Sequence, residues 1–292
     1  MIFVICGPTG SGKTKAAIAF SEYFHAPIIN ADAFQIYKGM DIGTAKIEKD
    51  DPYYKKHYLL DIKEPSESFS VMEYQKLFRQ AIDDLLKKYE NIVVCGGTGL
   101  YIRASLYDYV FKEEEPVDVS DLEELSNEEL HQMLNQLDSG AAKAIHPNNR
   151  KRIIRAITIA RSQEFTKSEN ISSQEHKMVY SNVKVLLINP NREQLYEKIN
   201  HRVDEMFEKG LIDEVKHLLK DYELSNTARA AIGYKEVIDY LESKCSLDEC
   251  KELIKKRTRN YAKRQVTFFK NQFEVETYAS SDELIKAYTS EV

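Results

Sequence analysis

Residues 2–14 read IFVICGPTGSGKT, and from Gly7 to Thr14 they satisfy the phosphate-loop pattern G-x-x-x-x-G-K-[ST] at every fixed position. The apolar run Ile2–Cys6 predicts a buried strand and Lys13–Phe24 a helix, so the glycines fall on the strand-to-helix turn that the pattern needs. Gly7, Gly10 and Gly12 permit backbone angles that turn several N–H groups toward phosphate oxygens, and the helix N-terminus adds partial positive charge. Pro8, Thr9 and Ser11 complete the cradle; Lys13 is placed to neutralise a terminal phosphate and Thr14 to hold a magnesium ion. A dinucleotide fingerprint does not fit, because after Gly10 and Gly12 its third glycine position holds Lys15.

Outward from that stretch, short apolar runs recur at Pro27–Asn30, Tyr58–Ile62, Ile92–Cys95 and Val183–Ile188, with helical periodicity between several of them, as in Val71–Lys88. This alternation predicts an α/β fold, a phosphate-loop-containing parallel sheet flanked by helices. Between Tyr107 and Ser181 no strand pattern appears and polar helical segments dominate, such as Ser126–Leu137 and Asn149–Arg161. The expected organisation is therefore a catalytic core of residues 1–108 and 182–292, interrupted by a helical insertion over residues 109–181. Further helices are expected at Arg192–Phe207, Leu211–Leu219, Tyr234–Leu241 and Leu247–Phe269, and a last edge strand at Phe273–Tyr278. Thr166–Lys177 is polar enough to predict a mobile loop.

The 292 residues, 42% of them hydrophobic, suffice for a sizeable core in about two domains. The opening residues lack the pattern of a secretory signal, and no apolar run reaches membrane-spanning length, so a cytoplasmic protein without membrane association is expected. Cys6, Cys95, Cys245 and Cys250 have no C-x-x-C spacing, which argues against a zinc site and a disulfide framework. A net charge of −6 disfavours a polyanionic partner, yet the distribution favours one. Acids gather from Glu113 to Glu129, whereas Arg150, Lys151, Arg152 and Arg155 form one basic cluster and Lys251–Lys270 another, with Glu252 its only acid.

Two further segments carry chemistry. The strand Ile92–Cys95 ends in Gly96, Gly97, Thr98, Gly99, Leu100 and Tyr101, with no acid at its tip of the kind that most phosphate-loop enzymes use for magnesium. Paired glycines there suit either close approach of a ligand, with the Thr98 hydroxyl on a phosphate oxygen, or a tight turn into a helix. Asp61 is placed either to supply the missing acid or to serve as a cap or surface residue. The segment Asn30–Lys46, NADAFQIYKGMDIGTAK, puts Asp32 just beyond a strand, at the carboxyl edge beside the phosphate loop. A carboxylate there can accept a proton from a nucleophile or orient it. A solvent-facing turn aspartate is the plainer alternative, but the polar, glycine-marked loop that follows is too long for a simple crossover.

The motifs GPTGSGKT from Gly7, DAFQIYKGMDIGTAK from Asp32, HYLLDI from His57, GGTGLY from Gly96, HPNNRKRIIRAI from His146, IGYKE from Ile232 and RTRNYAKRQVTFF from Arg257 span nearly the whole chain. In all of them it closely resembles the tRNA dimethylallyltransferases. The resemblance implies transfer of a dimethylallyl group from dimethylallyl diphosphate to the exocyclic amine of the adenosine just 3′ of the anticodon. It implies that Gly7–Thr14 grips the diphosphate leaving group, with Lys13 and Mg2+ on Thr14 absorbing charge as the carbon–oxygen bond breaks. Asp32 is then the base for the amine, Thr98 a diphosphate ligand that fixes the transition state, and Arg202 a further diphosphate contact. The adenine must leave the stack of the anticodon stem-loop. Implied RNA contacts are Asp32, Ala33, Phe34 and Gln35, then Lys151, Arg152, Ile153, Ile154 and Arg155 on the insertion. Lys256, Arg259, Lys263 and Lys270 share one face of the last long helix and add a stripe suited to RNA backbone. A monomer is expected. The chain departs from the family in a shorter segment after GGTGLY and in having Thr267, Phe268 and Phe269 where a tryptophan is usual.

Overall fold

The computed structural model describes residues 1–111, 117–162, 166, 168 and 177–289. Two compact units emerge: Met1–Leu106 together with Tyr180–Val292, and Tyr107–Val179.

In the first unit, among the described residues, six strands form one sheet in the order β3-β2-β4-β1-β5-β6: β1 Ile2–Cys6, β2 Ile28–Asn30, β3 His57–Tyr58, β4 Ile92–Gly96, β5 Val183–Ile188 and β6 Glu276–Tyr278. Every neighbouring pair is parallel. β1 and β4 are buried throughout, which explains why they read as unbroken apolar runs and not as alternating ones. The helix after the phosphate loop, α1 (Lys13–Tyr23), lays Ala16, Ala17 and Phe20 on the sheet. There Phe20 meets Phe3 edge to face at 5.4 Å between ring centroids, burial of such a ring contributing about 1.5–3 kcal/mol. Next come α2 (Val71–Leu85), opened by a Ser70–Glu73 capping box, and α3 (Gly99–Leu106).

The second unit holds α4 (Asn127–Leu137), α5 (Ser139–Ala144) and α6 (Arg150–Ser162) around its own core of Leu122, Leu130, Leu134, Ala142, Ile153 and Ile157. Arg150 is spent internally, donating to the carbonyls of Leu122 and Leu125, and Arg161 makes a two-pronged pair with Asp121. Lys151, Arg152 and Arg155 are exposed. Ile153 corrects the sequence expectation: it is fully buried, one helical turn from Ala156 and Ile157 on the inward stripe, and its side chain supports the helix instead of facing RNA. Glu113, Glu114 and Glu115, and nearly all of the expected mobile loop Thr166–Lys177, lie outside the described residues.

Returning to the first unit, the remaining helices are α7 (Arg192–Glu208), α8 (Leu211–Asp221), α9 (Asn226–Arg229), α10 (Tyr234–Leu241), α11 (Leu247–Gln272) and α12 (Ser281–Thr289). Two expectations shift. The run Tyr58–Ile62 pairs only through Tyr58, because Leu59 and Asp61 adopt positive φ (60° and 50°) and turn the chain away. The last strand starts at Glu276, since Phe273 is buried as the cap of α11, its ring 5.8 Å from that of Phe269.

Candidate active site

All the parallel strands end on one side of the sheet, so the loops after β1, β2 and β4 converge there. A cavity of about 150 Å³ opens at that edge. Thr9, Lys13 and Thr14 of the phosphate loop, Asp32, Phe34 and Gln35 after β2, and Cys95 and Gly96 of β4 line it. α7 adds Ile199, Arg202, Val203 and Met206, the segment before α10 adds Ala231, Ile232 and Gly233, and α11 adds Ile254, Thr258, Tyr261 and Gln265. The lining thus combines cationic and apolar side chains.

In the phosphate loop Gly10 and Gly12 hold φ of 79° and 87°, where a side chain would be strained. Lys13 folds back to donate from Nζ to the Pro8 carbonyl at 2.7 Å. Burial pushes its pKa below the ordinary lysine range, a shift opposed by Cys95 and by the charge of Asp32. Arg202 faces the same space; burial lowers its pKa too, Asp32 and Glu205 working the other way. Its Nε is enclosed without a hydrogen-bond partner, and its Nη2 reaches only the Thr44 carbonyl at 3.5 Å. A buried guanidinium with an idle donor is matched by an anion arriving in the cavity.

Asp32 is held in a tight turn. The carboxylate Oδ1 accepts the Phe34 N–H at 3.0 Å, and the Asp32 N–H donates to Asn30 Oδ1 at 3.1 Å. Thr98 Oγ1 accepts the Ala33 N–H at 3.0 Å, and the Thr98 N–H donates to the Ala31 carbonyl at 3.1 Å. Thr98 therefore ties the Asp32 turn to β4 and is not itself part of the cavity wall, and its hydroxyl also meets the Tyr261 phenol on that wall. Asp61 is engaged elsewhere: its Oδ1 lies 2.6 Å from Lys46 Nζ, and Tyr54 donates to its other oxygen. It is neither a cap nor a surface residue: its side chain is 12% exposed and pairs with Lys46.

The long loop after Asp32 is braced from α8. Glu214 accepts the N–H groups of Asp41 (3.1 Å), Ile42 (2.7 Å) and Gly43 (3.2 Å) and the Tyr234 hydroxyl (2.6 Å). Lys46, 7% exposed, points inward to the Tyr37 carbonyl and to Asp41 and Asp61. Sequence reading missed this brace, and it missed Tyr261 and Gln265 as wall residues. The signal was present in RTRNYAKRQVTFF: a glutamine four residues after a tyrosine, on the same inward stripe as Ala262 and Phe269. Burial, then the Asp32 charge, pushes the Tyr261 phenol up to about 12, so it stays neutral near pH 7. On the opposite face of α11, Lys256, Lys263 and Lys270 are exposed, while Arg259 is half-buried and donates to Asn200 at 2.5 Å.

The IPP transferase family model matches residues 35–272, including the Asp32-side loop, β4, the second unit and α7 to α11. The chain belongs to the IPP transferase family. It is 45% identical over 281 residues to the tRNA dimethylallyltransferase of Bacillus licheniformis, covering 94% of this chain and 89% of that protein. Among solved structures it is similar to the tRNA isopentenylpyrophosphate transferase of Staphylococcus epidermidis, at 37% identity and TM-score 0.71, over 99% and 97% of the two chains. A eukaryotic dimethylallyltransferase acting on tRNA aligns with a TM-score of 0.81 at 26% identity, covering 96% of this chain and 74% of that one. Like other IPP transferases it is thus a prenyl-transferring enzyme, and among its described residues no helix is long and apolar enough to cross a membrane.

Proposed function

We propose that the chain moves a dimethylallyl group from dimethylallyl diphosphate to the exocyclic amine of the adenosine 3′ of the anticodon in tRNA. The observation that carries this reading is one cavity lined together by cations, Lys13 and Arg202, by apolar side chains, Ile199, Val203, Met206 and Ile254, and by a carboxylate, Asp32. A diphosphate with a short hydrocarbon tail fits that polarity, and the relatives' names agree with it.

In this mechanism the phosphate-loop N–H groups of Gly10–Thr14, the N-terminus of α1, Lys13 and Arg202 hold the diphosphate and take up charge as the C1–oxygen bond breaks. The adenine amine forms the new bond to C1. Its proton passes to the Asp32 oxygen that Phe34 does not occupy; an aromatic amine is a weak nucleophile, and a fixed carboxylate raises its competence. Thr98 acts through the turn it holds. Oxygen donors suit magnesium: the exposed Thr14 hydroxyl on the cavity wall, together with the donor's own phosphate oxygens, would hold the ion. When bound, the ion neutralises charge on the leaving group. The turn Asp32–Gln35 meets the displaced adenosine, while Lys151, Arg152, Ile154 and Arg155, with Lys256 and Lys263, serve as tRNA contacts. The reading is completed by a monomer working in the cytoplasm, where tRNA is met.

The test is to incubate the protein with radiolabelled dimethylallyl diphosphate, magnesium and either unmodified tRNA or AMP. Label in tRNA alone is expected. Label in AMP, or orthophosphate released from ATP with no prenyl transfer, overturns the reading.

A further inference from the structure

Gln265 is 5% exposed, on the inward stripe of α11 between Ala262 and Phe269. Its Oε1 accepts the Thr9 N–H at 3.0 Å, and its Nε2 donates to the Gly97 carbonyl at 2.9 Å. A single carboxamide thus spans the loops at the carboxyl ends of β1 and β4. The demand is for one acceptor facing an N–H and one donor facing a carbonyl, at the reach of a three-carbon stem. Glutamate lacks the donor and would set a negative charge beside the anion cradle; leucine supplies neither bond. Gly97 carries the counterpart of this fit, since a Cβ there would lie 2.2 Å from Gln265 Nε2.

The contacts continue on the far side. Gly97 precedes Thr98, Thr98 Oγ1 holds the Ala33 N–H, and Ala33 follows Asp32. Hydrogen bonds and the peptide links Gly97–Thr98 and Asp32–Ala33 therefore connect the phosphate loop, through Gln265, to the turn that carries the carboxylate. We propose that Gln265 is a positioning residue for the transfer: it sets the separation of the diphosphate cradle and the Asp32 turn, and so decides whether the allylic carbon is captured by the amine or by water. This rests on the dimethylallyl-transfer reading above. With the strut lost, Lys13, Thr14 and Arg202 still assist departure of the diphosphate. The C1–oxygen bond to phosphorus breaks, a C1–oxygen bond to water forms, and the water proton goes to solvent, giving dimethylallyl alcohol and inorganic diphosphate.

The readout is the ratio of dimethylallyl alcohol released to prenyl group transferred to tRNA, beside kcat and the donor KM. Gln265→Leu removes both bonds at similar length; Gly97→Ala displaces an intact Gln265. In both, kcat for transfer is expected to fall about 10- to 100-fold with a donor KM within about threefold, and the ratio to rise about tenfold or more. Misfolding lowers both products together and leaves the ratio unchanged, so a purely structural role is told apart. Wild-type ratios in both variants overturn the proposal while leaving the transfer activity standing. A wild-type protein that labels no tRNA overturns the activity itself, and the proposal with it.

Discussion

Replacing Gly96 by alanine tests the geometry on which the whole site depends. Gly96 closes β4 directly against the turn after β2, and a Cβ built there would start 2.1 Å from the Ala31 carbonyl oxygen and 2.6 Å from the Ala31 Cα. Ordinary van der Waals contact begins near 3.4 Å, and every clashing atom is backbone, so no side chain can swing aside. The two segments must separate by roughly 1 Å, at an overpacking cost of about 1–3 kcal/mol. The bonds across that seam go with it: Ala31 N–H to the Cys95 carbonyl (2.8 Å), Thr98 N–H to the Ala31 carbonyl (3.1 Å) and Ala33 N–H to Thr98 Oγ1 (3.0 Å). Asp32 is the residue between Ala31 and Ala33, and a misplacement of about 1 Å at a reacting group is worth about 100-fold in rate. Single-turnover transfer from labelled donor to unmodified tRNA should slow by about that factor, and the urea midpoint should drop by an amount matching about 1–3 kcal/mol. A variant with wild-type rate and midpoint would refute the reasoning, because it would show that β4 and the Asp32 turn need no such close approach.

Three further outcomes are expected. Asp32→Ala should keep donor affinity, read by calorimetry, while turnover falls by about two orders of magnitude or more; unchanged turnover removes Asp32 from the mechanism. Lys13 starts below its ordinary value of 10.5 because it is buried, and a bound diphosphate raises it again. Donor binding should therefore take up a proton between those two values, and affinity should fall as pH rises through the lower one. Equal calorimetric heats in alkaline buffers of different ionisation enthalpy would rule that out. Lys256→Ala and Lys263→Ala should each weaken tRNA binding regardless of sequence and flatten the log affinity against log salt slope by about 0.7; an unaltered slope takes that residue off the RNA surface.

The parts of the fold that were legible in the sequence are those where a local rule and the tertiary environment agree. β1 and β4 are apolar because both their faces are covered, and the phosphate loop announces its backbone geometry through its glycines. Tyr58–Ile62 was misjudged because apolarity does not reveal positive φ at Leu59 and Asp61, which long-range bonds such as Asp61 N–H to the Gln35 carbonyl accompany. α12 escaped notice although Ser280 and Glu283 mark its start, the Glu283 N–H donating to Ser280 Oγ at 3.1 Å. In the site, Lys13 and Asp32 were visible because each follows a strand. Glu214, which braces the loop, and Tyr261 and Gln265, which line the cavity, were not, because they come from helices far along the chain, and helical periodicity marks an inward polar residue only as an exception to a pattern.

The strand order also constrains how the molecule is made. Ile2 of β1 pairs with Ile92 on one side and Val183 on the other, so the central strand waits for partners that leave the ribosome much later. Until β5 emerges, one flank of β1 is a bare apolar edge open to stray pairing. Nascent chains halted before Val183 should therefore depend on chaperones and go insoluble without them.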